Sequence, residues 1–222
     1  ILGNHAAVTS LGERNDFAAA VSETSGRFFR PALQADNTDV LRHLDLQRVG
    51  HLYLQRLRML APDARFVIDK NPQNLFNLPL ILQALPGVRV LCLQRDPMDA
   101  CFSNLKELFQ GEAYPYSYAL EDLADHYLRA RRWMEHWQRV APRSVRVVRY
   151  EDLVSDPDAV LPAILEFVGL EMQSDLLDIT RNTAPVATAS SSQVREGIHQ
   201  RGMEAWQRYE RHLQPLRARL GE

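Results

Sequence analysis

Two spacings of apolar residues alternate along this chain. Short apolar runs of strand length occur at "RFVID" (65–69), "GVRVLCLQ" (87–94) and "SVRVVRY" (144–150). Between them leucines fall three and four apart, the period of a helix with one buried face. Residues 1–60 read as helices with breaks: "NDFAAAVSET" is helix-prone, and "LRHLDLQRVGHLYLQRLRML" keeps helical spacing until Pro62 ends it. Pro72 opens a helix through "NLFNLPLILQAL" with Pro79 as a kink, since proline suits a first turn but removes a hydrogen bond further in. Pro97 opens another, with Asp96 as its cap. "ALEDLADHYLRARRWMEHWQRV" is one long amphipathic helix, and a helix through "AVLPAILEFVGL" follows the third strand. This order predicts an α/β fold, a parallel sheet flanked by helices, in a single domain over residues 1–222.

In such sheets ligands bind beyond the carboxyl ends of the strands. The three predicted strands end in the polar clusters "DKNPQN", "QRDPMDACFS" and "RYEDL". Arg95 therefore stands where a ligand would lie, and the helix from Pro97 aims its positive N-terminus at the same place.

Composition narrows the partners. Formal net charge is −2, which leaves no global basic field to gather nucleic acid or anionic lipid, so an anion site has to be local. Cys92 and Cys101 match no zinc spacing and read as reduced, packed thiols, which suits a cytoplasmic location. His5, His51, His126, His136 and His199 are scattered without metal-ligand spacing, so no metal site is predicted. No stretch approaches the ~20 apolar residues of a membrane span. The chain begins with Ile1 rather than Met, shows no signal peptide, and reads as an incomplete translation product.

Each candidate residue carries a functional and an ordinary reading. Arg95 with Ser103 is either a phosphate clamp, a planar fork plus a hydroxyl donor, or a carboxylate-paired arginine beside a packed serine. Lys70 at a strand end either offsets charge on a transferred group or is a solvated surface amine. Of Arg149 and Tyr150, one faces the crevice, because strand side chains alternate. Glu151 and Asp152 read as first-turn helix acids. Glu13, in "LGERNDF", is a general base at the crevice mouth or a solvated loop acid. "TASSSQVREG" (188–197), with Ser190, Ser191 and Arg195, is a lid supplying hydroxyls to an anion or a surface loop. "QGEAYPYSYALEDL" (110–123) borders an acceptor pocket or packs as a loop. Trp133 and Trp137 pack internally or form a dimer face.

Four blocks in order, "NHAAVTSLGERNDF", "APDARFVIDKNPQNLFNLPLILQALPGVRVLCLQRDPMDACFS", "VRYEDLVSDPDAVLPAILEFVGL" and "TASSSQVREGIHQRGMEAWQRYERHLQPL", carry a resemblance. The chain resembles the sulfotransferases that use 3′-phosphoadenosine 5′-phosphosulfate, in the branch of tyrosylprotein sulfotransferases and their bacterial relatives. The resemblance implies a parallel α/β fold related to P-loop nucleotide kinases. It implies that Arg95 and Ser103 bind the donor's 3′-phosphate, that Lys70 contacts the bridging oxygen and sulfuryl group, and that Glu13 takes the acceptor's proton. It places Ser190 near the leaving phosphate, with Ser191 close enough to compete, and Tyr150 and Arg195 against the nucleotide. The implied reaction is in-line sulfuryl transfer to a hydroxyl (a protein tyrosine, a sugar or a small molecule) without a metal, by an enzyme that is a homodimer in the tyrosylprotein branch.

The pattern departs from the family's in places. A strand and a loop of the form Pro-Arg-Ser-Gly-Thr-Thr are expected before the helix that "ILGNHAAV" ends, and residues 1–222 contain neither, so the domain reads as N-terminally incomplete. Gly197 stands where relatives carry proline, and Gly202 where serine is common. The missing loop keeps a second reading open, a non-catalytic protein that binds adenosine 3′,5′-bisphosphate. A third, a kinase-like phosphoryl transferase, gives the Arg95/Ser103 pair no purpose.

Overall fold

A computed structural model describes residues 1–28, 38–107, 109, 114–181 and 197–222. Their contacts gather into two compact units, the first formed by Ile1–Val88 and the second by Arg89–Thr180 with the described C-terminal residues 197–222.

The first unit contains strands β1 (Val8–Ser10) and β2 (Phe66–Ile68), and helices α1 (Asp16–Ser25), α2 (Thr38–Arg42), α3 (Leu46–Leu60) and α4 (Leu78–Ala84). The two strands run parallel, Val8 opposite Phe66 and Ser10 opposite Ile68. Helix α3 starts where Asp45 accepts a hydrogen bond from the Arg48 N–H (2.9 Å), and it turns Val49, Tyr53 and Leu57 inward. These meet Phe17, Ala20 and Val21 of α1 and Ile81 and Ala84 of α4 in one apolar core. Phe17 is 1% exposed, and burying such a side chain stabilises by about 2–3 kcal/mol.

The second unit contains β3 (Val90–Gln94), β4 (Val145–Arg149), α5 (Pro97–Lys106), α6 (Leu120–Val140), α7 (Tyr150–Ser155), α8 (Pro157–Val168) and α9 (Gln214–Leu220). Strands β3 and β4 are parallel over five residue pairs, from Val90–Val145 to Gln94–Arg149. Asp96 caps α5 by accepting from the Asp99 N–H at 2.9 Å, as its sequence position predicts. Met98, Cys101 and Phe102 of α5 pack with Leu123 and Ala124 of α6 and with Leu213, Leu216 and Leu220. Both cysteines are free and buried, and burial pushes their thiols up, Cys92 to about 11 and Cys101 to about 12.

The α/β class with parallel strands flanked by helices holds. Three particulars differ from the sequence-based expectation. The stretch predicted as helices with breaks contains a strand, β1, and "ILGNHAAV" carries a single 3-10 turn, Leu2–Asn4, before it. The described strands form two two-stranded parallel sheets rather than one continuous one. The helix expected from Pro72 is a 3-10 segment, Pro72–Asn77, followed by α4, because Pro79 has no N–H to carry one ladder through.

Candidate functional site

In the first unit, the parallel pairing of β1 and β2 continues past the strand ends. Leu11 N–H donates to the Ile68 carbonyl (2.9 Å), and Lys70 N–H donates to the Gly12 carbonyl (2.8 Å). Two loops that leave a parallel pair side by side bring residues just past the strand ends together. Glu13 and Lys70 meet there, with Lys70 Nζ donating to Glu13 Oε1. Both are open to solvent, the Lys70 side chain 58% and the Glu13 side chain 38%, so the pair is accessible to a ligand.

Beneath that pair lies a braced carboxylate. Asp69 accepts at Oδ1 from the Arg14 N–H (3.2 Å) and at Oδ2 from the Tyr53 hydroxyl (2.9 Å). Asn71 donates from Nδ2 to the Arg14 carbonyl (2.9 Å) and to Asn15 Oδ1 (3.2 Å). Burial raises the Asp69 carboxyl, while the bonds from Tyr53, Arg14 and Asn74 pull it back. Burial, followed by the charge of Asp69, pushes the Tyr53 phenol well above its usual range.

In the second unit, Arg95 leaves β3 and its guanidinium lies 5.1 Å from the Tyr150 ring centroid. Its Nη2 donates to the Gly202 carbonyl, and its Nε is buried without a partner. Tyr127 holds the backbone by donating to the Arg95 carbonyl at 2.6 Å. The carboxylate pairing considered for this arginine is not what the structure shows, because the bonded partner of its guanidinium is a backbone carbonyl. Asp99 is only 3% exposed and accepts at Oδ2 from the Glu204 N–H (2.8 Å), while its Oδ1 has no partner. Burial raises the Asp99 carboxyl, and the Glu204 N–H and the charge of Arg95 act against that. Ser103 follows Asp99 by one helical turn of α5, on the same face, and is half-buried. A fork-shaped cation resting on an aromatic ring, with a hydroxyl on the neighbouring helix, is a donor set suited to a phosphate.

Of Arg149 and Tyr150, it is Tyr150 that turns to Arg95, whereas Arg149 is exposed beside Glu151. Glu151 does more than sit in a first helical turn: its Oε1 accepts from the Asp96 N–H at 2.8 Å and ties β4's end to β3's. A Cβ at Gly202 would lie 3.0 Å from Arg95 Nη2, so a serine there would make the guanidinium tip give by a few tenths of an ångström. Ser190, Ser191 and Arg195 lie outside the described residues. Asp69, Tyr53 and Asp99 were not singled out from sequence. Asp69 was visible only as a member of "DKNPQN", and Tyr53 only as part of a helical apolar face. Among the described residues, no group of three His, Cys, Asp or Glu side chains is placed to hold a metal, and no helix is long and apolar enough to cross a membrane.

Parallel strands flanked by helices, with a Glu–Lys pair past the strand ends in one unit and a seated arginine past a strand end in the other, define an α/β protein. Residues 1–175 match the model of the Sulfotransferase family, and the chain belongs to that family. A protein of Aquifex aeolicus (strain VF5), named only as uncharacterized, is 32% identical over an alignment of 177 positions that covers 77% of this chain and 23% of that protein. The chain thus spans less than a quarter of that relative's length. Two solved structures share the fold. The sulfotransferase domain from the Synechococcus PCC 7002 olefin synthase has a TM-score of 0.56 at 18% identity, covering 87% of this chain and 68% of that one. The sulfotransferase domain from the curacin biosynthetic pathway has a TM-score of 0.52 at 16% identity, covering 93% and 78%.

Proposed function

We propose that residues 1–222 belong to one sulfotransferase domain that moves a sulfuryl group from 3′-phosphoadenosine 5′-phosphosulfate to a hydroxyl acceptor. The observation that carries this reading is the pairing of Glu13 with Lys70 at the ends of β1 and β2, in a chain of the Sulfotransferase family. Sulfuryl transfer needs a group to take the acceptor's proton and a cation where the departing phosphate gathers charge. Glu13 takes the hydroxyl proton as the acceptor oxygen bonds to sulfur. Lys70 Nζ offsets the charge that accumulates as the bond from sulfur to the bridging oxygen breaks, and Ser190 adds a hydroxyl donor there. Arg95, Ser103, Tyr150 and Arg195 hold the nucleotide, with the Arg95 fork on its 3′-phosphate. Positioning and electrostatics of this kind supply most of such a rate enhancement.

The acceptor class is a hydroxyl on a protein tyrosine, a sugar or a small molecule, and the place of Glu13 in "LGE" favours the tyrosylprotein-like branch. The buried free thiols of Cys92 and Cys101 favour a reducing, cytoplasmic setting.

The test is to incubate the full chain with sulfur-labelled donor and a panel of phenolic, sugar and peptide acceptors. Label is expected on an acceptor. Binding of adenosine 3′,5′-bisphosphate with neither transfer nor donor hydrolysis would replace this reading with the non-catalytic one. Use of ATP with magnesium would replace it with the phosphoryl-transferase one.

A further inference from the structure

The geometry points to Asp69, anchored by Tyr53, as a positioning residue that sets the Glu13–Lys70 pair. As a claim about catalysis it rests on the function proposed above; as a claim about geometry it stands alone. Glu13 and Lys70 sit on separate loops, and each neighbours a residue fixed by this one carboxylate: Arg14 next to Glu13, and Asp69 itself next to Lys70. The carboxylate is in turn held from the core. Tyr53 is 7% exposed on α3 and stacks edge-on to Phe17, ring centroids 5.6 Å apart at 79°. Its hydroxyl is therefore a donor fixed in place by packing, and it points at Asp69 Oδ2.

The chain of contacts runs from the Phe17–Tyr53 core through Asp69 to both loops. Asn71 closes the far side by bonding back to Arg14 and Asn15. A general base and a charge-stabilising amine have to keep their spacing to within a fraction of an ångström, and flexible loops do not hold that without such bracing.

Lysine reactivity reads this geometry directly, because Lys70 and Lys106 are the two lysines of the chain. Lys106 lies on α5 over the Phe102 ring, in the second unit, and serves as the internal reference. Trace labelling of the full chain with an amine-reactive reagent compares the two in wild type, Asp69→Ala, Asp69→Asn and Tyr53→Phe. Asp69→Ala is expected to raise Lys70 labelling relative to Lys106 about fivefold. It should also lower kcat for sulfuryl transfer about fiftyfold, with donor KM within threefold of wild type, and lower the thermal midpoint while the chain stays folded, because the buried Tyr53 hydroxyl loses its partner. Asp69→Asn should recover most of both, since its amide oxygen still accepts from Arg14 and its NH2 can face the Tyr53 oxygen. Tyr53→Phe, which removes only the hydroxyl, should show the Asp69→Ala pattern at smaller amplitude. An unchanged Lys70-to-Lys106 ratio in folded Asp69→Ala, or kcat and KM altered together with no recovery in Asp69→Asn, overturns the assignment. If the wild type transfers no sulfuryl group to any acceptor, the proposed reaction fails while the labelling ratio still decides the positioning claim.

Discussion

The guanidinium carbon of Arg95 lies 5.1 Å from the centroid of the Tyr150 ring. Strands β3 and β4 end in register at Gln94 and Arg149, so the next residue of each strand meets the other across the pair. An arginine offers five donors; one is spent on the Gly202 carbonyl and the Nε–H is buried. The remaining donors are the ones a phosphate would engage. Arg95→Ala should weaken adenosine 3′,5′-bisphosphate by about 2 kcal/mol, roughly thirtyfold, and adenosine 5′-phosphate little, because a charge-assisted contact contributes about that much. Tyr150→Leu should cost about 0.5–1 kcal/mol through the lost cation–π contact. Isothermal calorimetry with the two nucleotides checks both, and equal losses for the two ligands would show that Arg95 does not read the 3′ position.

Glu13 and Lys70 make the same prediction for turnover and different ones for donor binding. Glu13→Gln preserves shape and removes the carboxylate proposed as the base, so transfer should fall at least a hundredfold, within the usual range for general acid–base catalysis of about 10²–10⁴. Donor affinity should stay equal or improve, since Lys70 loses its present partner. Lys70→Met should lower both turnover and donor affinity. Single-turnover rates at saturating donor separate the two effects. A Glu13→Gln enzyme with wild-type rate would remove Glu13 from the chemistry.

What was legible in the sequence was whatever depends on local pattern. Strands β2, β3 and β4 announce themselves as apolar runs, and Asp96 as a cap by its place before Pro97. That Lys70, Arg95 and Tyr150 stand just past strand ends was readable from the same apolar runs, which stop one or two residues before them. Strand β1 was not readable: "VTS" is too short for alternation to show, and it is a strand only because Phe66–Ile68 pairs with it. The same holds for Asp69 with Tyr53, 16 residues apart, and Glu151 with Asp96, 55 apart. Such pairs are set by tertiary packing, and a tyrosine on an apolar helix face gives no sign that its hydroxyl has a distant partner.

Asp99 gives the stability a pH dependence opposite to that of a carboxylate lowered by an ion pair. Its folded-state value is raised by burial above the unfolded value of about 3.9. Between those two values the native chain binds more protons than the unfolded one, so this group's contribution to stability increases as pH falls through that window. Asp99→Asn has no proton to gain there. Its stability relative to wild type should therefore decline as pH is lowered from about 7 toward about 4.5, while the titration of other groups cancels in the comparison. Urea unfolding of both proteins across that range measures the difference. A gap that stays constant with pH would mean Asp99 titrates alike in the folded and unfolded chains.

Gly50 is where α3 crosses α4 closely enough to exclude any side chain. It is buried, and a Cβ built on it would lie 2.0 Å from the Ala84 carbonyl oxygen. Two effects compete in Gly50→Ala. Alanine favours a helix interior by about 1 kcal/mol over glycine. Against that, the clash is with backbone rather than a flexible side-chain tip, so the helices have to separate. Separation opens the core formed by Val49, Tyr53, Leu57, Ile81 and Ala84, and overpacking of this kind typically costs about 1–3 kcal/mol, occasionally more. A 2.0 Å approach to backbone puts the cost at the upper end of that range, so the clash should win with a net loss of about 2 kcal/mol and a lower urea midpoint at unchanged slope. His51→Ala, one residue along on the exposed side of the same helix, gains propensity without the clash and serves as the control. If Gly50→Ala is as stable as wild type, the helices have room to spare and the glycine is there for some other reason than close approach.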